Sequence, residues 1–394
     1  MMLQVFGTAA KRLRRHAISL CKKAVSHPPS RERILLSRPT NRAGLVEKAI
    51  KRMRKRPIIL GIVGDSAAGK TTITSGLVKL LGADRVTHVC TDDYHKYDRR
   101  ERAANGITAL HPDCNYLDVM ELHLERLHYG QPILKPVYDH DTGSLVRPEY
   151  VQPKEFVIVE GLLGFSTAIM RQFYDVKVYL NPPEDLRKVW KIKRDVTKRG
   201  YKPEQVLAEM EKREPDSAAF IRPQRDLADI VVQFYPPPDV PVEEAGPTLN
   251  ARLTLRPTIP HPDLTYLCED DGQSPGVRLE LGRDGGRPVD ILEIEGTVSP
   301  DHANRLEHAI WQHLPDLAPL RGDQFGDYSD RSETRHSDPL AITQLLLAYH
   351  LLRQYGELDE LPFARPVAAL SRMATPTSSS SHAVANNTPQ RVVE

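Results

Sequence analysis

A glycine-containing run near residue 64 has the spacing of a phosphate-binding loop. It fits the pattern GxxxxGK[ST] and lies between an apolar, strand-like run and a helix-forming segment. The backbone N–H groups of such a loop and the N-terminus of the next helix bind the phosphates of a nucleotide. The run predicts a binding site for ATP, formed by Gly64, Asp65, Ser66, Ala67, Ala68, Gly69, Lys70, Thr71 and Thr72.

Two residues of this loop, with a carboxylate further along the chain, predict the metal chemistry. Lys70 is expected to reach the β and γ oxygens of ATP, and the Thr71 hydroxyl is expected to bind Mg²⁺. The run from Phe156 to Gly161 is an apolar strand that ends in a carboxylate, Glu160. Glu160 is the predicted second group for Mg²⁺ or its water shell; an ordinary acid at a strand end is the alternative.

An acidic and basic run, Cys90 to Arg100, follows the second predicted strand, so it would lie in the crevice at the strand's carboxyl end. A kinase that acts on a hydroxyl benefits from a carboxylate that accepts the departing proton. Either Asp92 or Asp93 can be that base, while His95 and Arg99 can bind sugar hydroxyls and phosphate. The alternative is a solvated surface loop.

A second charged group lies on a predicted helix. Lys191, Arg194 and Asp195 are spaced i, i+3 and i+4 and therefore share one helix face. This helix face can bind an anionic substrate, or it can be a surface ion-pair cluster.

The elements that position these residues alternate between strand and helix from Pro57 onward, which predicts an α/β fold with a mostly parallel sheet, mixed at its edge and flanked by helices. Predicted strands are Ile58 to Val63, Val86 to Thr91, Phe156 to Val159, Val176 to Leu180, Arg252 to Leu255, Val277 to Leu281 and Asp290 to Ile294. Predicted helices are Thr71 to Leu81, Pro183 to Gly200, Pro203 to Arg213, Pro300 to Leu314 and Pro339 to Tyr355.

Charge and composition divide the chain of 394 residues into four parts. Residues 1–56 form a basic extension with 16 Lys and Arg against 2 acidic residues, while the remainder has 38 against 50. The acidic body argues against nucleic-acid binding. The predicted parts are the extension, a kinase core over 57–235, a C-terminal α/β part over 248–357 after a proline-rich linker, and a disordered tail over 366–394.

The extension permits several interpretations. Residues 1 to about 27 can form a basic amphipathic helix, which is typical of an organelle-targeting peptide or a membrane-surface helix, or they can be a solvated tail. No apolar run is long enough for a membrane span. Four widely spaced cysteines indicate a reducing compartment. The expected location is cytoplasmic, or an organelle if the extension is a targeting peptide.

Several motifs together resemble the phosphoribulokinase and uridine kinase superfamily, and within it the phosphoribulokinases of the plant and cyanobacterial branch. The resemblance covers roughly residues 57 to 357. The motifs are the phosphate-binding loop, DDYHKYDR from Asp92, NGITAL from Asn105, KPVYDHDTG from Lys135, VIVEG from Val157, and WKIKRD from Trp190 with Arg199-Gly200-Tyr201.

The resemblance implies ATP-dependent phosphorylation of the C1 hydroxyl of ribulose 5-phosphate to ribulose 1,5-bisphosphate, with Mg²⁺ as the metal ion. It also implies assembly as a homodimer, and no nucleic-acid partner is expected. It implies that Asp92 is the base. It also implies catalytic roles for Lys70, Arg194 and Asp195, and substrate binding by Asp93, His95, Arg99, Tyr138, His140, Lys191 and Arg199, with Tyr138 and His140 in a loop.

The chain departs from the redox-regulated members of this family. They place one cysteine in the phosphate-binding loop, where this chain has Ala68, and another near the position of Cys90. A disulfide between these two positions cannot form, so thioredoxin control through this site is not expected. Cys90 is interpreted as a buried small residue, with a reactive thiol as the alternative.

Two other functions stay open from the sequence. A kinase of the same family can act on uridine or another small alcohol, although the cations predicted at the acceptor site favour an acceptor that carries its own phosphate. A non-catalytic nucleotide-binding regulatory protein is the alternative from another class.

Overall fold

In a computed structural model, the placement of residues 56–264, 276–313, 325–330 and 333–360 is described. The predicted helix over residues 1–27, all but the last residue of the extension 1–56, and the predicted disordered tail over 366–394 lie outside these ranges.

The strands build one large sheet and two hairpins. They are β1 (Ile58–Gly64), β2 (Val86–Cys90), β3 (Ile133–Asp139), β4 (Ser144–Val151), β5 (Phe156–Gly161), β6 (Val176–Leu180), β7 (Ile230–Tyr235), β8 (Asn250–Leu255), β9 (Val277–Asp284), β10 (Arg287–Ile294), β11 (Asp327–Asp330) and β12 (Glu333–His336). Among the described residues, the large sheet has eight strands in the order β2-β5-β1-β6-β7-β8-β10-β9. The first five are parallel and the last three antiparallel, which confirms the predicted fold class.

Helices cover the sheet. They are α1 (Lys70–Leu81), α2 (Arg99–Asn105), α3 (Leu117–His128), α4 (Ala168–Arg171), α5 (Glu184–Arg199), α6 (Pro203–Asp216), α7 (Pro300–Gln312) and α8 (Asp338–Glu360). The predicted strands and helices are all found, with ends that differ by a few residues. The sequence did not predict α2, α3, α4, β7 or the hairpins β3–β4 and β11–β12. None of the described helices has the length and apolar character needed to cross a bilayer.

Strand β1 shows why the sheet is buried on both faces. Alternate side chains of a strand point to opposite faces. Ile58, Leu60 and Ile62 belong to the core cluster that includes α1 and α8, whereas Ile59 and Val63 belong to the cluster that includes α3. All five are fully buried. A continuous apolar run is therefore the signature of this central strand.

The C-terminal half of the chain joins the same sheet. β8 pairs antiparallel with β7, so the proline-rich segment between them returns the chain to the adjacent position. Helix α8 then packs on α1 through Gln344, whose buried amide donates to the Thr72 carbonyl at 3.0 Å and accepts from the Gly326 N–H at 2.8 Å. A Cβ at Gly76 would lie about 2 Å from the Gln344 side chain. The close contact of these helices requires glycine there.

Two histidines form a hydrogen-bonded pair, the buried His350 of α8 and the half-buried His261. His261 Nε2 lies 2.8 Å from the Arg256 carbonyl and must donate to it, so His261 Nδ1 accepts from His350 Nε2 at 3.2 Å. Burial, with repulsion from His261 and Arg353, lowers the pKa of His350 to about 3. Burial also lowers the pKa of His261. Both rings are neutral near pH 7.

Acid should destabilise the protein through this pair. The unfolded histidine has a pKa of about 6.5, above the folded value, so below that pH the unfolded state binds more protons and stability falls as the pH decreases. We expect His350→Gln, which keeps a donor for His261, to reduce the slope of unfolding free energy against pH between 6.5 and 4 by up to about 1.4 kcal/mol per pH unit. Urea denaturation across this range measures the slope. His308→Gln, at an exposed position of α7, is the control; equal slopes for both variants would contradict the assignment.

Candidate active site

The phosphate-binding loop connects β1 to α1, as predicted. Ala67 and Gly69 both have left-handed backbone conformations, with φ of 66° and 95°. Glycine adopts this region freely, whereas an alanine there costs on the order of 1 kcal/mol. The strained turn brings the backbone of residues 64–70 around the N-terminus of α1, where phosphate binds most favourably.

The Lys70 ammonium lies inside this loop. Its Nζ donates to the carbonyl oxygens of Gly64 and Asp65, at 2.8 and 2.9 Å. Burial lowers the pKa of Lys70, and the negative charges of Asp92 and Glu160 oppose that decrease. The cation is thus desolvated and depends on carboxylates from neighbouring strands.

Glu160, at the end of β5, is surrounded by three donors. Thr74 Oγ1 donates to Oε2 at 2.9 Å, while His88 Nε2 lies 3.0 Å and Thr71 Oγ1 3.4 Å from Oε1. Burial alone would raise the pKa of Glu160, but the hydrogen bonds from His88 and Thr74 and the charge of Lys70 give a net decrease. Glu160 is therefore an ionised carboxylate.

Thr71 and Glu160, the residues predicted to hold Mg²⁺, are brought together by the fold. A hydroxyl and a carboxylate are oxygen ligands of the kind that Mg²⁺ takes beside the phosphates of a nucleotide. The donor set therefore fits this ion. His88, which contacts Glu160, was missed because a single histidine within a strand carries no spacing signal.

The two aspartates after β2 have different surroundings. Asp93 accepts the N–H of Tyr138 at 2.9 Å and forms an ion pair with the buried Lys135, both on β3. Among the described residues, the Asp92 carboxylate has no side-chain hydrogen bond, and it acts electrostatically on Lys70 and His95. Asp93 thus holds the hairpin β3–β4, whereas the Asp92 carboxylate has no such partner among the described residues.

His95 is held in one tautomer by Asn115. The Asn115 amide donates to the carbonyls of Ala109 and His111, at 3.1 and 2.9 Å, so its oxygen must accept from His95 Nδ1 at 2.8 Å. Burial lowers the pKa of His95 despite the nearby Asp92. The ring is therefore neutral, with Nε2 as an acceptor.

Tyr138 packs edge-on against His95, with ring centroids 4.9 Å apart. It lies within strand β3, so its prediction as a loop residue was wrong; the Asp93 contact and pairing with β4 extend the strand to Asp139. Arg102 Nη2 donates to the Tyr138 hydroxyl at 2.6 Å and its guanidinium lies over the ring. The sequence analysis missed Arg102. Its i+3 spacing from Arg99 would have placed both residues on one helix face, but α2 was not predicted.

Arg99 and His140 lie at the mouth of the same region, and both are exposed. Arg99 Nη2 donates to the His140 carbonyl at 2.6 Å. The His140 ring stacks edge-on against Tyr138 at 5.2 Å. Predicted acceptor-site residues from two separate segments therefore meet around Tyr138.

Helix α5 presents its charged face to the phosphate-binding loop. Asp195, almost fully buried, pairs with Lys191 at 3.0 Å, Arg194 at 2.9 Å and Arg199 at 3.4 Å. Lys191 Nζ and Arg194 Nη2 each lie 3.4 Å from Ser66 Oγ. Burial, with repulsion from Arg194, lowers the pKa of Lys191 to about 8.

Asp65 connects the loop to the following helices. It accepts from Ser217, in the π-helical turn after α6, and lies 3.5 Å from Arg187. Arg187 also donates to the Ser66 carbonyl at 3.1 Å and forms two hydrogen bonds with Glu184. Asp65 therefore fixes the loop against α5 and α6. Sequence reasoning missed Arg187 and Ser217.

Cys90 is a free thiol at the end of β2. Burial raises its pKa well above the usual value, and the charges of Asp92 and Glu160 raise it further. The thiol is therefore protonated, although the residue is half-buried and not fully buried as predicted.

Together these groups form a site with two halves. The loop, Lys70, Thr71 and Glu160 can hold a nucleotide with its metal ion, while Asp92 and His95 face the region bordered by Tyr138 and the arginines of α2. Such an arrangement can transfer a terminal phosphoryl group to a hydroxyl whose proton a carboxylate accepts.

Comparison with known proteins gives consistent matches. The model of the phosphoribulokinase / uridine kinase family matches residues 59–241. The phosphoribulokinase of Synechocystis sp. is 36% identical over 257 residues, which is 61% of this chain and 77% of that protein. The chloroplastic phosphoribulokinase of Triticum aestivum is 31% identical over 67% of this chain and 72% of its own length.

Shorter or more distant similarities complete the comparison. A uridine kinase of Chloroflexus aurantiacus is 32% identical over 45% of this chain and 88% of its own length. The solved structure of a phosphoribulokinase from Rhodobacter spheroides is 19% identical, with a TM-score of 0.47, and covers 67% of this chain and 97% of that one.

The different surroundings of Asp92 and Asp93 predict different effects on stability. Asp93→Asn removes the charge opposite the buried Lys135, and we expect a loss of about 3 kcal/mol in unfolding free energy. Asp92→Asn should cost about 1 kcal/mol or less, because Glu160 still compensates the charge of Lys70. Urea denaturation of the two variants, which carry the same chemical change one residue apart, makes the comparison.

A second substitution tests the cause. Lys135→Met in the Asp93→Asn background should restore part of the loss, since no uncompensated charge then lies buried. Equal stability of the two single variants would contradict the anchoring role of Asp93.

Proposed function

The chain belongs to the phosphoribulokinase / uridine kinase family, and on this premise we propose that it transfers the γ-phosphoryl group of ATP to the C1 hydroxyl of ribulose 5-phosphate. The product is ribulose 1,5-bisphosphate, and the reaction is a step of the Calvin cycle. The observation that carries the proposal is the Asp92 carboxylate, which has no side-chain hydrogen bond among the described residues and lies close enough to Lys70 to influence its pKa.

The extent of similarity favours this acceptor over a nucleoside. The uridine kinase match covers 45% of this chain, whereas the two phosphoribulokinase matches cover 61% and 67%. The matched region thus extends beyond the part that is shared with a nucleoside kinase.

The proton and the phosphoryl group move in opposite directions at the proposed site. The acceptor hydroxyl oxygen forms a bond to the γ-phosphorus as the bond to the β-γ bridging oxygen breaks, and Asp92 takes the hydroxyl proton. His95 Nε2, an acceptor in the neutral ring, can receive a hydrogen bond from a second sugar hydroxyl. ADP leaves with the bridging oxygen.

Separate positively charged groups are proposed to bind the phosphates of ATP and the phosphate of the acceptor. Lys70 neutralises negative charge on the transferred group, and bound Mg²⁺ supplies further charge neutralisation on the phosphates. Arg99, Arg102 and His140 border the acceptor region, where a guanidinium suits the phosphate of a sugar phosphate. An uncharged nucleoside would offer the two guanidinium groups no anionic partner.

The face of α5 is proposed to support the closed site. Asp195 holds Lys191, Arg194 and Arg199 in a fixed arrangement beside Ser66 of the loop. Substrate phosphates can replace part of this internal pairing. The cluster then provides cations whose position is set before the substrate arrives.

Two further features are part of the proposal. We propose a homodimer, which sedimentation velocity of the full chain would test, and a reducing, cytoplasmic location. An organelle is the alternative if the basic residues 1–27 direct import.

The acceptor and the base are tested by one assay. ADP release from MgATP should require ribulose 5-phosphate and should not respond to uridine. Asp92→Asn should lower kcat by about 10²- to 10⁴-fold, because the hydroxyl loses its proton acceptor. The affinity for ATP, measured separately, should change little.

Asp239→Asn, at an exposed site between β7 and β8, is the matched control and should keep the wild-type rate. Turnover with uridine would support a nucleoside kinase instead. ATP binding without turnover on any acceptor would favour a non-catalytic nucleotide-binding protein.

A further inference from the structure

His88 occupies an unusual position for a histidine on this sheet. It lies on β2, opposite Ile158 of β5 and two residues before Cys90, which is opposite Glu160. Val86, earlier on the same face, belongs to the core cluster with Ile158. The side chain at position 88 therefore continues an apolar face toward the carboxyl edge of the sheet, where it meets Glu160.

At this edge of the sheet, His88 makes a polar contact with Glu160. Its Nε2 lies 3.0 Å from Oε1, so this nitrogen must carry a hydrogen and donate it to the carboxylate. The His88 side chain is 42% exposed and that of Glu160 is 7% exposed. A histidine so exposed adds little to core packing. Its contribution is the hydrogen bond.

The donors around Glu160 divide between its two oxygens. Thr74 holds Oε2 at 2.9 Å, and His88 holds Oε1 at 3.0 Å. Thr71 Oγ1, at 3.4 Å from Oε1, is too distant for a good O–H···O hydrogen bond. Two donors on different oxygens fix the plane of the carboxylate, whereas Thr74 alone would leave it free to rotate about its terminal bond.

We infer that His88 is a positioning residue for the nucleotide-bound Mg²⁺, which acts by holding the Glu160 carboxylate in the orientation that faces Thr71. The inference rests on the proposed use of Thr71 and Glu160 for this ion. Groups that orient a metal-binding carboxylate commonly affect metal affinity by about tenfold or more. His88 should therefore affect binding of ATP with its metal and not binding of ATP alone.

Calorimetry of the full chain, without any acceptor, tests this. ATP is titrated in excess Mg²⁺ and again in EDTA. His88→Leu should weaken binding in Mg²⁺ by about tenfold and leave binding in EDTA within about twofold. His88→Gln, which keeps a donor at similar reach, should bind as the wild type in both conditions. His308→Leu, on an exposed face of α7, controls for loss of any histidine.

A double-mutant cycle identifies the partner. In the Glu160→Gln background, His88→Leu should cause no further loss of binding in Mg²⁺, because the carboxylate it positions is already gone. His88→Val, a good strand former, repeats the test if the leucine variant is poorly folded.

Three results would overturn the inference. They are unchanged binding in Mg²⁺ for His88→Leu, equal weakening in Mg²⁺ and EDTA, and a loss for His88→Leu that adds fully to that of Glu160→Gln. Because no acceptor is present, these results are independent of the acceptor assay. Failure of ribulose 5-phosphate as a substrate would leave the role of His88 intact.

Discussion

The desolvated ammonium of Lys70 is the charge on which the organisation of the site depends. Two carbonyl oxygens bind it within the loop, but neutral dipoles do not balance a full charge in a low-dielectric region. The balancing carboxylates come from residues that are distant in sequence, Asp92 after β2 and Glu160 on β5. Their convergence requires β2, β5 and β1 to be adjacent and parallel, because only then do their carboxyl ends meet at one edge. The fold is thus the means of bringing opposite charges together.

The central part of the fold could be predicted from the sequence because its signals are local. Strands such as β1 and β5 are buried on both faces and appear as uninterrupted apolar runs. The hairpin β3–β4 could not be predicted in the same way, since β4 is exposed along most of its length and contains a proline. It is held to the rest of the fold by the buried Ile133 and Val151 and by the ion pair of Asp93 with Lys135, contacts between residues that are distant in sequence.

The same distinction between local sequence signals and distant contacts applies to the residues of the site. The loop, Thr71 and Glu160 could be predicted because motif and strand end coincide. The sequence could not separate Asp92 from Asp93, because adjacent residues of one type differ only in where the backbone directs them. Residues that act through a partner, His88, Arg187 and Asn115, have no spacing pattern of their own. They become apparent only when the tertiary contact is known.

The contact of Gln344 with α1 has a consequence for the linear order of the chain. Helix α1, which follows the phosphate-binding loop, is contacted by Gln344, about 270 positions later in the chain. Gln344 binds the Thr72 carbonyl and packs against Gly76. During synthesis, the first half of the polypeptide leaves the ribosome with this surface uncovered. The phosphate-binding loop and its helix thus reach their final packing only after α8, the last helix among the described residues, has been synthesised.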